Sequence, residues 1–298
     1  MKIAITGGTG LVGKALSNEL VRSGHEVVIL TRKVTEKGYN PKFVQWLNPG
    51  DQPENELAGV EAIVNLAGAT INSKWTKEYK QKIIESRMKA TTEVKRIIAA
   101  LNRKPNVLIN ASAVGYYGTS LTGEFDEQSE PGHDFLADTV KNWEAAANEA
   151  NIRVVLCRFG LILAKTGGAL PRMLFPYQLF AGGKIGTGSQ WLSWIHIEDV
   201  IRGIIFAIEE KQLKGAVNFV SPSPVRMDQF GRTISQVLKR PHWLPVPVFA
   251  MKFALGEMSV LVLEGQKVKP EKLLTAGFSF KYPVLEKALK DILANHSV

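Results

Sequence analysis

One eight-residue segment constrains the chain more than any other. TGGTGLVG at 6–13 lies between the apolar run KIAI at 2–5 and an amphipathic stretch starting near Leu11. It satisfies Gly-x-Gly-x-x-Gly at Gly8, Gly10 and Gly13, and the variant Gly-x-x-Gly-x-x-Gly at Gly7, Gly10 and Gly13. Glycine at such places permits a tight turn, lets backbone N–H groups approach a pyrophosphate and lets the helix pack closely on the strand. The helix then presents free N–H groups and its positive dipole end, with Leu11 and Val12 as backbone donors and Thr9 in the turn. The competing reading is a tight strand-to-helix turn with no ligand, which the strand before and the helix after make the lesser one.

The rhythm of the following residues sets the architecture. EVVIL at 26–30, AIVNLAG at 62–68, VLINASA at 107–113, RVVLCRFG at 153–160 and AVNFV at 216–220 are strand-like, with helical patterns between them. Such alternation requires right-handed crossovers and a parallel sheet covered on both faces, a doubly wound α/β fold. Past Gly160 the rhythm weakens through the glycine-rich AGGKIGTGSQ at 181–190, and residues of about 165–190 are expected to cross to the substrate side. Proline-rich SPSPVR and RPHWLPVPV mark the start of a smaller α/β lobe, placed at 221–298 after a nucleotide-binding domain of 1–220.

The end of the second strand carries a further choice. NAD sites place an acid there to accept from the ribose hydroxyls, whereas this strand ends Leu30, Thr31, Arg32, Lys33. A guanidinium at that place binds a 2′-phosphate through paired charge-assisted hydrogen bonds, so Arg32 predicts NADP(H) over NAD(H).

Composition excludes other classes. One cysteine, Cys157, rules out an intramolecular disulfide and a thiolate metal cluster, which fits a reducing compartment with the cytoplasm as default. No apolar run reaches the roughly 18 residues of a membrane helix, and the opening KIAI does not resemble a leader. The net charge of +9 is concentrated at 74–104, where ten Lys or Arg face three acids. Apolar residues recur there at helical spacing, so a solvated helix face is the main reading, an anionic small molecule a second, and a nucleic-acid surface the last. A long exposed helix also suits a two-fold interface between copies.

Together TGGTGLVG, NLAG at 65–68, ASAVGYYG at 111–118 and WIHIED at 194–199 resemble the short-chain dehydrogenase/reductase superfamily in its extended, epimerase-like branch. WTKEYKQKIIESR at 75–87, GTGSQWLSWIHIEDV at 186–200 and GQKVKPEKLLTAGFSF at 265–280 are similar to an atypical subgroup, the epimerase family with a characteristic C-terminal domain, named after nucleoside-diphosphate-sugar epimerases. The resemblance implies a Rossmann-like domain holding NADP through Gly7, Thr9, Gly10, Leu11, Val12 and Gly13, with Leu66, Ala67 and Gly68 facing them. It implies a substrate cleft against the C-terminal lobe and leaves the substrate open.

The superfamily normally uses Tyr-x-x-x-Lys on a helix with a Ser or Thr ending the preceding strand. None of the six tyrosines here has a lysine four residues later, and alignment on Trp143-Glu144 puts Leu136 and Val140 in those places. The serine place falls on Ala113, beside Ser112. The candidates for proton transfer are therefore Ser112, Tyr116 and Tyr117, each with an alternative in packing or local backbone bonding. Asp134 is expected to cap the next helix with His133 in an exposed loop, and His196 to be a satisfied structural histidine with Asp199 as a cap. Cys157 is expected to be inert core, Arg158 to meet an anionic substrate or pair with an acid, and Lys74 and Arg87 to face solvent. Three readings remain: an epimerase-like oxidoreductase drawing its acid or base from elsewhere, a non-catalytic NADP(H) sensor, and a nucleic-acid binder.

Overall fold

The structure, a computed structural model, describes residues 1–34 and 38–294. In chain order the strands are β1 (Lys2–Thr6), β2 (Glu26–Thr31), β3 (Lys42–Gln45), β4 (Ala62–Asn65), β5 (Val107–Ala113), β6 (Glu124–Phe125), β7 (Arg153–Phe159), β8 (Leu161–Leu163), β9 (Trp191–Leu192), β10 (Trp194–His196), β11 (Gly215–Phe219), β12 (Val225–Arg226) and β13 (Lys267–Val268). The helices are α1 (Leu11–Arg22), α2 (Lys77–Ala100), α3 (Phe135–Asn148), α4 (Leu170–Gln178), α5 (Ile197–Glu209), α6 (Met227–Leu238), α7 (Val248–Leu255), α8 (Val260–Leu263), α9 (Glu271–Thr275) and α10 (Leu285–Leu293).

Seven strands form one parallel sheet in the order β11-β7-β5-β4-β1-β2-β3, the Rossmann-like arrangement expected. Strand side chains alternate between faces, and both faces are covered, which is why these runs are apolar throughout. Ile3, Ile5 and Ile29 pack against Leu16 and Leu20 of α1 and Ile204 of α5. Ala4, Val28 and Ile63 pack against Val94 and Ile97 of α2 on the other face. The strand order reverses between β1 and β4, and in open α/β sheets ligands bind beyond the carboxyl ends of the strands at such a switch point. β3 escaped the sequence reading because KFVQ buries only Val44 and carries no apolar run.

A boundary at residue 220 does not describe the cores. A separate apolar cluster joins Leu163, Leu170, Leu174 and Trp194 with Phe230, Ile234, Leu285, Leu289 and Ile292, so the lobe is built from both sides of that boundary. The chain leaves the sheet after β7, lays down β8, α4 and β10, and returns for α5 and β11. Leu273 and Phe278 then pack back into the sheet's own core. Within 165–190, α4 supplies Leu170, Leu174 and Tyr177 to the cluster of the lobe. Among the described residues, no helix is long and apolar enough to cross a membrane.

Candidate functional site

The β1–α1 turn is a cradle that demands glycine at positions 7 and 13. Gly7 adopts φ +66°, and a Cβ there would lie 2.7 Å from the Leu66 carbonyl oxygen; a Cβ on Gly13 would lie 2.3 Å from that of Gly7. The Gly10 N–H closes the turn by donating to the Gly7 carbonyl at 2.9 Å. Gly10 is also the N-cap of α1, with no side-chain hydrogen bond to the helix end and no acid in the first turn. A helix end of this kind offers its first N–H groups to an anion. Thr9 and Gly10 are exposed at the mouth, while Gly13 is buried under the turn.

Leu66, Ala67 and Gly68 form the facing wall, and a polar row below them holds it. Thr6, Asn65 and Asn110 are in register across β1, β4 and β5, all fully buried. Thr6 Oγ1 accepts from the Leu66 and Ala67 N–H groups at 3.1 and 3.2 Å and donates to Asn65 Oδ1 at 2.7 Å. Asn65 Nδ2 donates to Asn110 Oδ1 at 2.7 Å and to Thr91 Oγ1 on α2 at 3.2 Å. Leu66 and Ala67 thus shape the wall, their N–H groups being already used. This row was missed in the sequence, although its signal was there: each of KIAIT, AIVN and VLIN closes on a polar residue.

Arg32 stands exposed beyond β2, where the Asn48 amide donates to its carbonyl at 3.2 Å. An open groove of about 550 Å³, lined by Asn48, Met88, Lys89, Thr92 and Arg96 among others, lies between residues 47–51 and α2. Arg87, expected to face solvent, is instead half-buried. Its Nη1 donates to the carbonyls of Ala69 and Ile83 at 3.1 and 3.0 Å, and its Cγ abuts Gly68. Burial pulls its guanidinium down to about 10. Lys74 is exposed, as expected.

The proton-transfer candidates separate. Ser112 is buried and donates to Glu144 Oε1 on α3 at 2.5 Å, so it bonds neither its own turn nor an open cleft. Arg158 grips the same carboxylate with Nε and Nη2 at 2.8 and 2.7 Å and donates through Nη1 to Tyr117 Oη at 2.9 Å. Tyr117 in turn donates to Asn218 Oδ1 at 2.7 Å. Burial pushes the Tyr117 phenol up to about 12, against the opposing pull of Arg158 and Asn218. Ser112 and Tyr117 are thereby members of a hydrogen-bonded network around a buried carboxylate and guanidinium. Tyr116 is different: it is half-buried, and its ring lies 3.5 Å from the Arg158 guanidinium carbon. Leu136 packs against Gly115 beside it, and Val140 is buried.

Asp134 caps α3 as expected, accepting from Leu136 and Ala137, and His133 is exposed. Asp199 does not cap α5. His196 does, its Nδ1 accepting from the Glu198 N–H at 3.1 Å. The fully buried Asp199 instead accepts from the Lys281 and Tyr282 N–H groups at 2.7 and 2.8 Å, tying the C-terminal segment to α5. Cys157 is fully buried, and burial raises its thiol well above the ordinary range, as inert core requires. No group of His, Cys, Asp and Glu among the described residues is arranged to hold a metal ion.

Comparison with known proteins agrees with this geometry. The profile of the NAD dependent epimerase/dehydratase family matches residues 3–219, and that of DUF1731, a domain of unknown function, matches 246–292. The epimerase family protein YfhF of Bacillus subtilis is 48% identical over 300 residues, covering 99% of each chain. The chloroplastic epimerase family protein SDR39U1 homolog of Arabidopsis thaliana is 42% identical, covering 98% of this chain and 87% of its own. The crystal structure of human epimerase family protein SDR39U1 with NADPH superposes with a TM-score of 0.89 at 34% identity, covering 99% of this chain and all of that one. UDP-glucuronic acid 4-epimerase of Bacillus cereus, at 17% identity and a TM-score of 0.78, shares the fold. The chain therefore belongs to the NAD dependent epimerase/dehydratase family, with a DUF1731 domain at its C-terminal end.

Proposed function

We propose that this chain binds NADP(H) at the β1–β4 switch point and acts as an epimerase-like oxidoreductase on a carbonyl compound or nucleotide sugar held against the C-terminal lobe. The observation that carries the reading is the N-terminus of α1, without a side-chain cap, behind a turn that admits no Cβ at Gly7 or Gly13, faced by a wall whose backbone is pinned from below. These residues fit a dinucleotide: Leu11 and Val12 would donate to its pyrophosphate, and Arg32 to a 2′-phosphate. The NADPH found with the human relative supports the same choice.

When bound, the nicotinamide supplies or accepts hydride. The chain must then move a proton at the substrate oxygen, and in this reading Tyr116 supplies the phenol; its ring stacks on Arg158, which Glu144 fixes in turn. Ser112, Glu144 and Tyr117 position that guanidinium. A second reading, a non-catalytic NADP(H) sensor, is favoured by Leu136 and Val140 standing in the places of tyrosine and lysine. Incubation with NADPH and aldehydes, quinones or nucleotide sugars, with absorbance and sugar configuration followed separately, distinguishes the two, because an epimerase regenerates its cofactor.

The cofactor assignment is tested by calorimetry on cofactor-stripped protein. NADPH should bind more tightly than NADH, and Arg32→Asp should weaken NADPH at least tenfold more than NADH. Equal losses remove Arg32 from the site, and no heat with either cofactor removes the reading itself.

A further inference from the structure

At the outer end of the lobe, the C-terminal part of α4 and the segment leading into α7 form an apolar surface. Phe175, Leu179, Phe180, Trp243, Phe249 and Phe253 are all exposed, Trp243 by 66%, Phe249 by 76% and Phe253 by 94%. The two segments are joined: Trp243 Nε1 donates to the Phe180 carbonyl at 2.8 Å, and the Trp243 and Leu244 N–H groups donate to the Gly182 carbonyl. α7 buries none of its residues, though it is almost wholly apolar. With about 150–250 Å² for each aromatic side chain, the five aromatics and Leu179 expose on the order of 700 Å², more than the roughly 300–600 Å² of an ordinary monomer's largest apolar patch.

The charges carried by these two segments have one sign, and the first acid beyond them, Glu257, is paired with Lys80 of α2. Residues 170–184 and 238–256 carry Arg172, Lys184, Lys239, Arg240 and Lys252 and no Asp or Glu. All five are exposed, and Arg240 lies 4.2 Å from the Phe180 ring centre. The nearby Asp228 is paired behind the surface with His242 and Arg232. A second copy docked on the same face would set these cations against their own counterparts, the neighbouring acids Asp228 and Glu257 being already paired. A partner that is anionic at its rim and apolar within meets both features, and a bilayer rich in acidic lipid is such a partner.

We infer that this face, residues 175–180 with 239–253, docks the protein on anionic membrane surfaces. Phe249 and Phe253, one turn apart on α7, enter the acyl boundary, Trp243 lies at the headgroup level, and Lys239, Arg240 and Lys252 meet the lipid phosphates. The inference is independent of the cofactor reading, since no residue of this face belongs to the nucleotide cradle.

The test is co-sedimentation of the full chain with vesicles of phosphatidylcholine alone or with about 30 mol% phosphatidylglycerol, with light scattering alongside. The protein should pellet only with the anionic vesicles and be released as salt rises from about 0.1 to 0.5 M. Replacing Lys239, Arg240 or Lys252 with Gln should weaken partition about fivefold each. Phe249→Ala with Phe253→Ala should weaken it tenfold or more with an unchanged thermal melt. Phe253→Ala alone, at a side chain with almost no contacts to lose, serves if the pair disturbs folding. The inference is overturned if wild-type protein stays in the supernatant with both vesicles, or if the phenylalanine variants bind as wild type does. It is also overturned if the wild type is a dimer that those variants dissolve, which would assign the face to a second copy.

Discussion

Tyr116 and Tyr117 are adjacent in sequence and opposite in circumstance. The Tyr117 hydroxyl is spent on Asn218 and Arg158, while Tyr116 keeps its hydroxyl outside that network and offers its ring face to the guanidinium. Tyr116→Phe should therefore lower kcat at least a hundredfold for whatever substrate turns over, with NADPH affinity unchanged, as expected for loss of a general acid. Tyr117→Phe should lower the melting temperature first. Rates unchanged in Tyr116→Phe would exclude it as proton donor. His196 makes a prediction in pH. Burial lowers its proton affinity in the fold, and Nδ1 must stay unprotonated to accept from Glu198. The unfolded chain then takes up the proton more readily, so this contribution is complete above the ordinary histidine range near 6.5 and is lost as pH falls below it. His196→Asn keeps a capping acceptor and removes the titration. Melting temperatures between pH 8 and 5 should fall more steeply for wild type than for the variant, and parallel curves would contradict the assignment.

At the scale of elements, three polar side chains in neighbouring strands, Ser112 of β5, Arg158 of β7 and Asn218 of β11, stand in register in the sheet, joined by Glu144 of α3 and Tyr117. The pair Arg158–Glu144 is almost wholly buried, and although burial works against the guanidinium's charge, the carboxylate prevails and raises its proton affinity. Removing one partner of a buried pair leaves the other charge uncompensated, at a cost of about 3–5 kcal/mol. Glu144→Ala should lose that much in urea denaturation, and Glu144→Leu with Arg158→Met should recover part of it. Helix α2 shows how a charge run misleads in the other direction. Many of its cations bind neighbours: Arg96 reaches Glu54 and Glu93, Lys95 reaches Glu149, and Lys80 reaches Glu257.

For the whole molecule, the sheet and the lobe share more than a linker. Asp199 holds the backbone of residues 281–282, and Leu273 and Phe278 fill the sheet's own core. Emptying two such sites removes about 2–5 kcal/mol each, against a total stability of about 5–15 kcal/mol. A chain ending at residue 220 is thus expected to lack a cooperative melt, whereas the full chain should unfold in one transition by both circular dichroism and fluorescence. A sharp melt in the shortened chain would show the sheet to be self-sufficient.

The order and type of the main elements were legible because periodicity is local: apolar runs alternating with amphipathic stretches leave few topologies, and three glycines after a strand can serve few purposes. The capping role of Asp134 and the burial of Cys157 were legible for the same reason, each following from its immediate neighbours. The burial of Arg87, the closure of Ser112 and Tyr117 into a network, the exchange of capping roles between His196 and Asp199 and the interleaving of the two cores depend on groups tens to a hundred residues apart. Tertiary structure alone decides these, since a buried polar atom's state is set by whichever partner the fold delivers, and no spacing along the chain encodes that partner.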